Sequence, residues 1–200
     1  MSGAAENLNK VRKRNGGRRD EILRVAARIF SERGFRQATL DDIAGELKIT
    51  RPALYHYANS KDELLGECAD IAHGLLSDAV QLAQAESTGL DQLRVFFRRY
   101  AEITNDDFGR CFVLTALSEM NEPERETRKQ TQLQLVRSAV AMTRKGIRDG
   151  SIRRCDAADV SRLLFAAFNG IPRWYKPGRS RKPGKIADDF LDLVIEGLRS

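Results

Sequence analysis

Two helix start signals lie unusually close together in the first third of the chain. Thr39 can cap free backbone amides while Asp42, three residues later, reaches back to it in a capping box. Thr50 opens a second helix, because it is a good N-cap and is followed by Pro52, which a helix tolerates only in its first turn. Only residues 48–49 are left for the turn. A connection this short between two amphipathic helices predicts a helix-turn-helix.

Helical periodicity continues through the whole chain. Apolar residues recur at three- and four-residue steps in the later segments, and neither an alternating strand pattern nor an internal repeat interrupts them. Ser60 and Glu63 form a further capping box that starts a long connector helix. We therefore expect an all-α fold of about nine helices. It comprises a basic flexible arm over residues 1–18, a three-helix unit over residues 19–66 and a larger helical unit over residues 67–200.

Positive charge is concentrated near the N-terminus. The chain carries 34 basic and 28 acidic residues, a net charge of +6, which hints at a polyanionic partner without establishing one. Residues 10–19 alone hold six basic side chains and no acidic one. A solvated, disordered leader explains such a run, and a flexible basic arm can also neutralise phosphates or enter a minor groove of DNA.

The sequence shows no signal for export or membrane insertion. No apolar run reaches the length of about 18 residues that a membrane-spanning helix needs, and the basic N-terminus lacks a following apolar segment. We expect a cytoplasmic protein with no membrane partner. Cys68, Cys111 and Cys155 are odd in number and widely spaced, so we interpret them as buried or idle thiols and not as disulfides or metal ligands.

An enzyme is the competing class of function, and the residue types argue against it. The chain has only two histidines, and it lacks an H-E-x-x-H motif, a glycine-rich phosphate loop and a Cys/His metal spacing. Carboxylates such as Glu119 and Glu122 usually lie on the solvent-exposed face of a helix and have no catalytic role. We therefore predict no enzymatic activity, no cofactor and no metal. A nonspecific DNA-coating protein or an adaptor remains an alternative, which sequence-independent affinity without a ligand response would favour.

The second helix of a helix-turn-helix lies in the major groove of DNA with its N-terminal residues at the base edges. Arg51 occupies that N-terminus, where it can reach a guanine edge or a phosphate. Tyr55, His56 and Lys61 lie on or after the exposed side and offer phosphate donors. Both tyrosines of this helix could instead be core aromatics. We assign Tyr57 to the core, because it shares a face with Leu54, and favour a DNA contact for Tyr55.

The last two helices carry unusually wide apolar stripes. Half of each stripe could pack against the chain's own core, but stripes of this width at the end of the chain favour a dimer interface. Periodicity does not separate burial within one chain from burial between chains, so both remain open. The residues predicted to form the interface are Leu163, Leu164, Ala167, Phe168, Ile171, Phe190, Leu193 and Val194.

Residues 20–66 resemble the DNA-binding region of the TetR family of bacterial transcriptional regulators. Three features carry the resemblance: an A-x-x-x-F-x-x-x-G-[FY] ending to the first helix, a threonine that opens the second, and the run L-Y-x-[HY]-x-x-[ST]-K-[DE]-x-L. Lys48 departs from the glycine common in the family's turn, and Ala58 from a frequent phenylalanine. By resemblance, the DNA-contacting residues are Thr39, Thr50, Arg51, Tyr55, His56 and Lys61.

The resemblance also implies a homodimer whose C-terminal domain, residues 67–200, binds a ligand and supplies the dimer contacts. Residues 169–198 resemble, more loosely, the C-terminal end of a subgroup that senses acyl-CoA thioesters and regulates lipid and steroid breakdown. We expect an apolar cavity in the middle of this domain. Its predicted lining residues are Phe96, Phe97, Tyr100, Phe112, Leu117, Met120, Met142, Trp174 and Tyr175, with Arg98, Arg99, Arg137, Arg144 or Lys145 facing an anionic group.

These features predict a ligand-responsive transcriptional regulator. The expected form is a repressor that leaves a palindromic double-stranded DNA operator when a small amphipathic effector, such as an acyl-CoA thioester, binds. The affinity for DNA then falls in one conformational state only. A transcriptional activator of the same fold, and a ligand-independent DNA-binding protein or adaptor, are the alternatives. The sequence leaves open the operator, the regulated genes and the effector.

Overall fold

A computed structural model describes residues 17–176, residue 178 and residues 181–198. Nearly all of the predicted basic arm lies outside the described residues. The described part of the chain is helical and contains no β-strand, which confirms the all-α prediction. It forms nine α-helices and one 3₁₀ turn: α1 Arg18–Arg33, α2 Leu40–Glu46, α3 Arg51–Tyr55, α4 Lys61–Gln84, α5 Gly89–Thr104, α6 Asp107–Leu114, the 3₁₀ turn Leu117–Glu119, α7 Glu122–Asp149, α8 Ala157–Trp174 and α9 Pro183–Leu198.

The first three helices pack around a small shared core. Phe30 of α1, Ile43 of α2 and Leu54 of α3 are almost completely buried. Gly34 ends α1 with a φ of 84°, which glycine adopts without strain, and the chain then folds back. Phe35 consequently packs edge-to-face on Phe30, with the ring centroids 5.2 Å apart. This packing holds α2 and α3 against α1.

One long helix connects this unit to the rest of the chain. α4 begins after Ser60, whose side chain accepts a hydrogen bond from Glu63 N at 3.1 Å. The Glu63 carboxylate accepts from Asn59 N at 2.8 Å and not from Ser60 N, so only half of the predicted capping box forms. α4 then runs without a break across the predicted domain boundary at residues 66–67. A continuous cluster of buried apolar side chains extends from α1 to α9. Packing therefore links the helix-turn-helix physically to the C-terminal helices.

Aromatic side chains fill the contact between α5 and α8. Phe97 of α5 lies with its ring centroid 5.0 Å from that of Phe168, and Tyr100 lies 5.4 Å from Phe165. Phe96 packs on Phe97 at 4.9 Å. The tilted and edge-to-face geometries are those that aromatic pairs prefer. The cluster fixes α8 across α5 and forms one wall of the cavity described below.

α5 and α7 touch through glycine at one end. A Cβ atom on Gly89 would lie 2.0 Å from the backbone nitrogen of Gly146 and 2.4 Å from Met142 O. A Cβ atom on Gly146 would lie 2.5 Å from Ile152 Cδ1. Gly89 N also donates to Asp149 Oδ2 at 2.8 Å. Only residues without side chains permit this approach, which locks the start of α5 to the end of α7.

Within the described ranges, no helix is both long and apolar enough to cross a membrane. Cys68 and Cys111 are buried free thiols, and Cys155 is half-buried. Burial raises the pKa of Cys111 to about 11 and also raises the pKa of Cys68. Since the thiolate is the reactive form, neither buried thiol is a nucleophile at neutral pH, in agreement with the predicted inert role.

Candidate DNA-binding surface and ligand cavity

The start of α2 has the predicted capping box. Thr39 Oγ1 accepts a hydrogen bond from Asp42 N at 3.1 Å, while Asp42 Oδ2 accepts from Thr39 N at 2.9 Å and from the Thr39 hydroxyl at 2.7 Å. These bonds, with a smaller contribution from Arg33, lower the pKa of the Asp42 carboxyl. The box holds Thr39 at the exposed end of α2, where its contact with DNA remains a prediction.

The turn after α2 places a lysine in a left-handed conformation. Lys48 has a φ of 54°, and no other non-glycine residue in the described ranges has a positive φ. Lys48 N donates to Gly45 O at 3.1 Å and Ile49 N donates to Ala44 O at 3.0 Å. Glycine suits such a turn because a Cβ atom costs roughly 1 kcal/mol there. The exposed Lys48 side chain adds a cation beside α3 that the sequence interpretation had not assigned to DNA.

α3 is a five-residue helix with one anchored and one open side. Thr50 Oγ1 accepts a hydrogen bond from a first-turn amide at 3.3 Å, as predicted for the N-cap. Leu54 is buried and Tyr57 packs at the edge of the core, whereas Tyr55 is 43% exposed. This confirms the predicted difference between the two tyrosines. His56 is exposed directly after the helix, so it and Tyr55 are accessible to a partner.

Arg51 lies at the first position of α3 among exposed polar groups. Its Nη1 donates to Asp41 Oδ2 at 2.9 Å, and its Nη2 donates to the Tyr55 hydroxyl at 3.1 Å. The hydrogen bond with Tyr55, followed by the charge of Asp41, raises the pKa of Arg51. Exposed ion pairs contribute little stability in water. A phosphate or a base edge can therefore replace Asp41 as the partner of Arg51.

Two arginines of α1 neutralise the remaining acidic side chains on α2. Arg28 Nη2 lies 2.8 Å from Glu46 Oε1, and Arg33 Nη1 lies 2.5 Å from Asp42 Oδ1. With the pair formed by Arg51, each acidic residue of α2 has an arginine partner. The pairing weakens the negative potential that would otherwise oppose the approach of DNA to this surface.

Lys61 makes structural hydrogen bonds within the helix-turn-helix unit. Its Nζ donates to Phe35 O at 2.8 Å, to Arg36 O at 3.2 Å and to Ala38 O at 3.2 Å. It also lies 4.6 Å from the centroid of the Phe35 ring. A lysine ammonium has three donors, and these carbonyls use all of them. Lys61 thus ties α4 to the loop between α1 and α2, and its contact with DNA remains a prediction.

α1 and α6 are joined by contacts centred on one arginine. Arg24 Nε donates to Asp20 Oδ2 at 3.0 Å. Its Nη1 lies 3.7 Å from Asp106 Oδ1 and 3.6 Å from Asp107 Oδ2, and its guanidinium lies 4.9 Å from the centroid of the Phe108 ring. Asp106 directly precedes α6, and Asp107 and Phe108 are its first two residues. The helix-turn-helix unit therefore holds α6 at its N-terminal end.

A cavity of about 440 Å³ lies between α5, α6, α7 and α8. This volume falls within the range of small-molecule sites. The Tyr100 hydroxyl donates to Asn169 Oδ1 at 2.6 Å across one wall and links α5 to α8. The walls are mixed in character and include Tyr100, Phe112, Arg128, Leu135, Phe165 and Asn169.

A second, smaller cavity of about 170 Å³ lies between α4 and α7. Phe112 and Arg128 line both cavities and therefore form the partition between them. His73 Nδ1 lies 2.7 Å from Thr131 Oγ1 on the wall of the smaller cavity. Glu124 lies on the same wall. The connector helix thus meets the ligand-binding region at this smaller cavity.

The structure corrects most of the predicted cavity lining. Tyr100, Phe112 and Met120 line one or both cavities. Phe96 and Phe97 instead pack in the aromatic contact between α5 and α8. Trp174 is 52% exposed, and Met142 is buried where α7 meets α5. The residues that line neither cavity are Phe96, Phe97, Leu117, Met142, Trp174 and Tyr175.

The predicted anion-facing cations also lie elsewhere. Arg99 pairs with Glu102, and Lys145 Nζ donates to Glu86 O at 3.0 Å. All five of these cations are absent from the walls of both cavities: Arg98, Arg99, Arg137, Arg144 and Lys145. Each lies on a surface-facing part of its helix, where a long charged side chain is solvated at little cost.

Arg128 is a buried cation that lines both cavities, and the sequence did not predict it. The side chain is only 5% exposed, and its Nε and Nη1 atoms are buried without a hydrogen-bond partner. The guanidinium lies 4.2 Å from the centroid of the Phe112 ring. Burial lowers its pKa to about 10. Counting back along α7 from the buried Thr131 and Leu135 places Arg128 on the same face, which is the signal that could have found it.

The predicted dimer interface divides into buried and exposed residues. Leu164, Phe168 and Ile171 are fully buried in the chain's own core, which corrects their assignment to an intermolecular contact. Leu163 is 56% exposed and Leu193 is 74% exposed. The other predicted residues are half-buried: Ala167, Phe190 and Val194. A partly exposed apolar surface on α8 and α9 remains, and such surfaces commonly bind a partner.

Comparison with known proteins assigns both parts of the chain. Residues 22–68 match the model of the bacterial regulatory proteins of the tetR family, and residues 86–198 match the tetracyclin repressor-like C-terminal domain. The HTH-type transcriptional repressor KstR2 of Rhodococcus jostii is 30% identical, and the match covers 92% of each chain. The two domain models together cover most of this chain.

Solved structures share the same fold. The ketosteroid transcriptional regulator KstR2 of Mycobacterium tuberculosis superposes with a TM-score of 0.84 at 25% identity, covering 92% of this chain and 96% of that chain. AibR, solved with isovaleryl coenzyme A and operator DNA, superposes with a TM-score of 0.77 at 19% identity, covering 88% and 97%. These matches confirm the resemblance drawn from residues 20–66. The chain belongs to the TetR family of bacterial regulatory proteins.

Proposed function

We propose that the chain is a ligand-responsive transcriptional repressor that acts as a homodimer. Residues 19–66 bind a palindromic operator, and residues 67–200 bind the effector and supply the dimer contacts. A repressor of this kind works where the bacterial DNA is, in the cytoplasm. Support for repression comes from the KstR2 relatives, which are named transcriptional repressors.

One structural relationship carries the proposal: α6 belongs to both sites. Its first residues, with the preceding Asp106, hold Arg24 of the helix-turn-helix unit, and its residue Phe112 forms the partition between the two cavities. A ligand that displaces Phe112 therefore acts on the helix that positions α1. Affinity for DNA falls only in the ligand-bound conformation, as differential binding requires.

On the DNA side, Arg51 is the base-edge residue, and Tyr55, His56, Thr39 and Thr50 contact the backbone. Two copies of α3 enter successive major grooves, separated by roughly 34 to 36 Å or a small multiple of it. Lys48 adds a phosphate contact from the turn.

On the effector side, an acyl-CoA thioester is the proposed class. The residue pattern of 169–198 supports it. The AibR structure shows that this fold accommodates a coenzyme A thioester. The apolar acyl part would enter the larger cavity.

The test begins with selection of bound duplexes from a random DNA pool by the purified protein. We expect a palindromic sequence to be enriched, and the affinity for it to fall when an acyl-CoA is titrated at fixed salt. If no sequence is enriched, the result would indicate that the protein is a nonspecific DNA-coating protein or an adaptor. An unchanged affinity across a panel of acyl-CoAs would contradict effector control by this class, and increased transcription of a reporter would identify an activator.

A further inference from the structure

Arg128 carries a buried charge that the described residues do not compensate. Two of its nitrogen atoms have no hydrogen-bond acceptor, and no carboxylate of the described ranges forms an ion pair with it. Besides burial, the groups that shift the Arg128 pKa are Cys111 and Tyr100. Burial raises the pKa of both, so both are neutral at physiological pH. An arginine does not lose its proton under these conditions, so the charge stays in place.

The contact with Phe112 does not replace a counter-ion. The guanidinium over this ring, 4.2 Å from its centroid, gains a cation–π interaction. A ring face accepts no directed hydrogen bond from Nε and Nη1 in addition, and buried charges in proteins are ordinarily paired. A partner from outside the chain is therefore the missing element.

Glu124 is the obvious internal rival, because it lies one helical turn before Arg128 on α7. The two side chains line the same small cavity but form no ion pair. Glu124 Oε2 is itself buried without a hydrogen bond. Glu124 leans instead towards α4, where its Oε1 lies 3.2 Å from the position of a Cβ atom on Gly66. Each charge of this potential pair is thus left without its complement.

The two cavities differ in the sign of their charge. Asp70 and Glu124 line the smaller cavity together with Arg128, so the acidic side chains outnumber the arginine there and oppose an anion. Among the residues that line the larger cavity, Arg128 and Arg173 are basic and none is acidic. Asn169 Oδ1 already accepts from Tyr100, which leaves the Asn169 amide as a further donor. An anion consequently fits the larger cavity.

We propose that Arg128 binds a carboxylate of the effector inside the larger cavity, so that the effector is an apolar organic acid. This inference rests on the proposed function and refines its effector class. The carboxylate has two sources: a free acid, or a diacid of which one end is a coenzyme A thioester and the other end is free. In both cases the carboxylate accepts hydrogen bonds from the Arg128 guanidinium and compensates its charge.

The first experiment needs no ligand. Arg128→Met keeps the length of the side chain and removes the charge, and Lys129→Met makes the same kind of change on the exposed side of α7. Thermal unfolding of the ligand-free protein is expected to shift upwards for Arg128→Met and to stay unchanged for Lys129→Met. A clear fall for Arg128→Met would show that the chain already satisfies the guanidinium, and would overturn the proposal.

The second experiment measures binding by calorimetry with straight-chain acids from hexanoate to dodecanoate, a set of carbocyclic acids, and the amide of each. Wild type and Lys129→Met are expected to bind a matching acid at least about tenfold more tightly than its amide. Arg128→Met is expected to lose this preference. Equal affinities for acid and amide, or an unchanged preference in Arg128→Met, would overturn the proposal. Absence of binding by every acid would overturn it if the diacid thioester described below also fails to bind.

A third experiment distinguishes the two sources of the effector carboxylate and tests the proposed repressor function separately. Decanoyl-CoA and the mono-CoA thioester of decanedioic acid differ only in the free carboxylate. Stronger release of operator by the diacid thioester, lost in Arg128→Met, supports the second source. If both thioesters release the operator equally from wild type and Arg128→Met, the result supports the repressor function and contradicts the role of Arg128. Failure of wild type to select any operator would instead contradict the proposed function, while acid binding is still measured directly.

Discussion

Arg51 Nη1 lies 2.9 Å from Asp41 Oδ2, so a carboxylate of α2 holds the first residue of α3 before DNA is bound. Both side chains are more than half exposed, and the pair is therefore weak. The hydrogen bonds with Tyr55 orient the guanidinium in the same position. DNA binding then requires only the exchange of one weak partner for a phosphate or a base edge.

Replacement of this arginine should affect DNA and little else. Arg51→Ala is expected to weaken operator binding by about 1–3 kcal/mol, the usual contribution of an arginine at a base edge. Dimerisation should be unchanged, because Arg51 lies on the exposed face of α3 far along the chain from α8 and α9. Fluorescence anisotropy at fixed salt and sedimentation velocity measure the two quantities. An unchanged affinity would exclude Arg51 from the DNA-binding surface.

The turn lysine allows conformation and charge to be separated. Lys48→Gly removes the strain of a positive φ and should raise the free energy of unfolding by roughly 1 kcal/mol. Lys48→Ala keeps the strain and should not. Both variants lose the cation, so both should bind operator more weakly, with a smaller salt dependence. Urea unfolding and anisotropy over a salt series provide the readouts. Equal stabilities of the two variants would contradict the strain argument.

Lys61 distinguishes a structural contact from a phosphate contact. Lys61→Met leaves three backbone carbonyls without their donor and should lower the free energy of unfolding by about 1–3 kcal/mol. Lys129→Met, on an exposed part of α7, serves as the control and should have no effect. Calorimetric unfolding measures the difference. A variant with wild-type stability and a reduced salt dependence of DNA binding would assign Lys61 to a phosphate contact instead.

Glu124 should impose a pH dependence on stability. Burial raises the pKa of its carboxyl, a hydrogen bond with Asn121 opposes this, and the charges of Asp62 and Asp70 add to it. A carboxyl with a raised pKa in the folded state destabilises the fold as the pH rises from below its ordinary value of 4.5 through the raised value. Glu124→Gln should therefore be more stable than wild type at neutral pH.

The difference in stability between Glu124→Gln and wild type should disappear at a pH well below the ordinary pKa of a glutamate carboxyl. There the wild-type carboxyl is protonated in both the folded and the unfolded state. Thermal unfolding over a pH series measures the difference. Glu126→Gln, exposed on the same helix, should show no such convergence. A stability gap that stays constant down to acidic pH would mean that ionisation of Glu124 is not its cause.

The exposed leucine of α9 tests the dimer surface. Leu193→Glu places a charge at an exposed apolar position of α9 and should weaken self-association by at least about tenfold. Operator binding should fall with it, because a palindrome requires both copies of α3. Leu82→Glu, at an exposed leucine of α4, is the matched control. Sedimentation equilibrium gives the association constant, and an unchanged dimer would place the interface elsewhere.

Features coded by neighbouring residues were predictable from the sequence. The capping box at Thr39 and Asp42 depends on residues three positions apart, and the structure contains it. The separation of Tyr55 from Tyr57 follows from helical periodicity alone. Lys48 stood out against a family pattern, and its positive φ explains why glycine is common there. Local backbone chemistry decides each of these features, so no tertiary information was needed.

Features decided by distant packing were not predictable. Lys61 binds the carbonyl of Phe35, 26 residues earlier in the chain, and no periodicity reports such a contact. Phe96 and Phe97 look like cavity residues in the sequence, but α8 covers them. Arg128 lies in a polar stretch of α7, where a charged residue is normally solvated. Only the packing of α5, α6 and α8 around α7 turns it into a buried cation.

The glycine contact between α5 and α7 has a mechanical consequence for effector size. The two helices are in close contact at Gly89 and Gly146, and the larger cavity lies towards their opposite ends. Tyr100 lies about 16 Å along α5 from this joint, so a rotation of about 4° there moves it by about 1 Å. A small rotation about this contact would therefore move the cavity wall at Tyr100 while the contact at Gly89 stays in place.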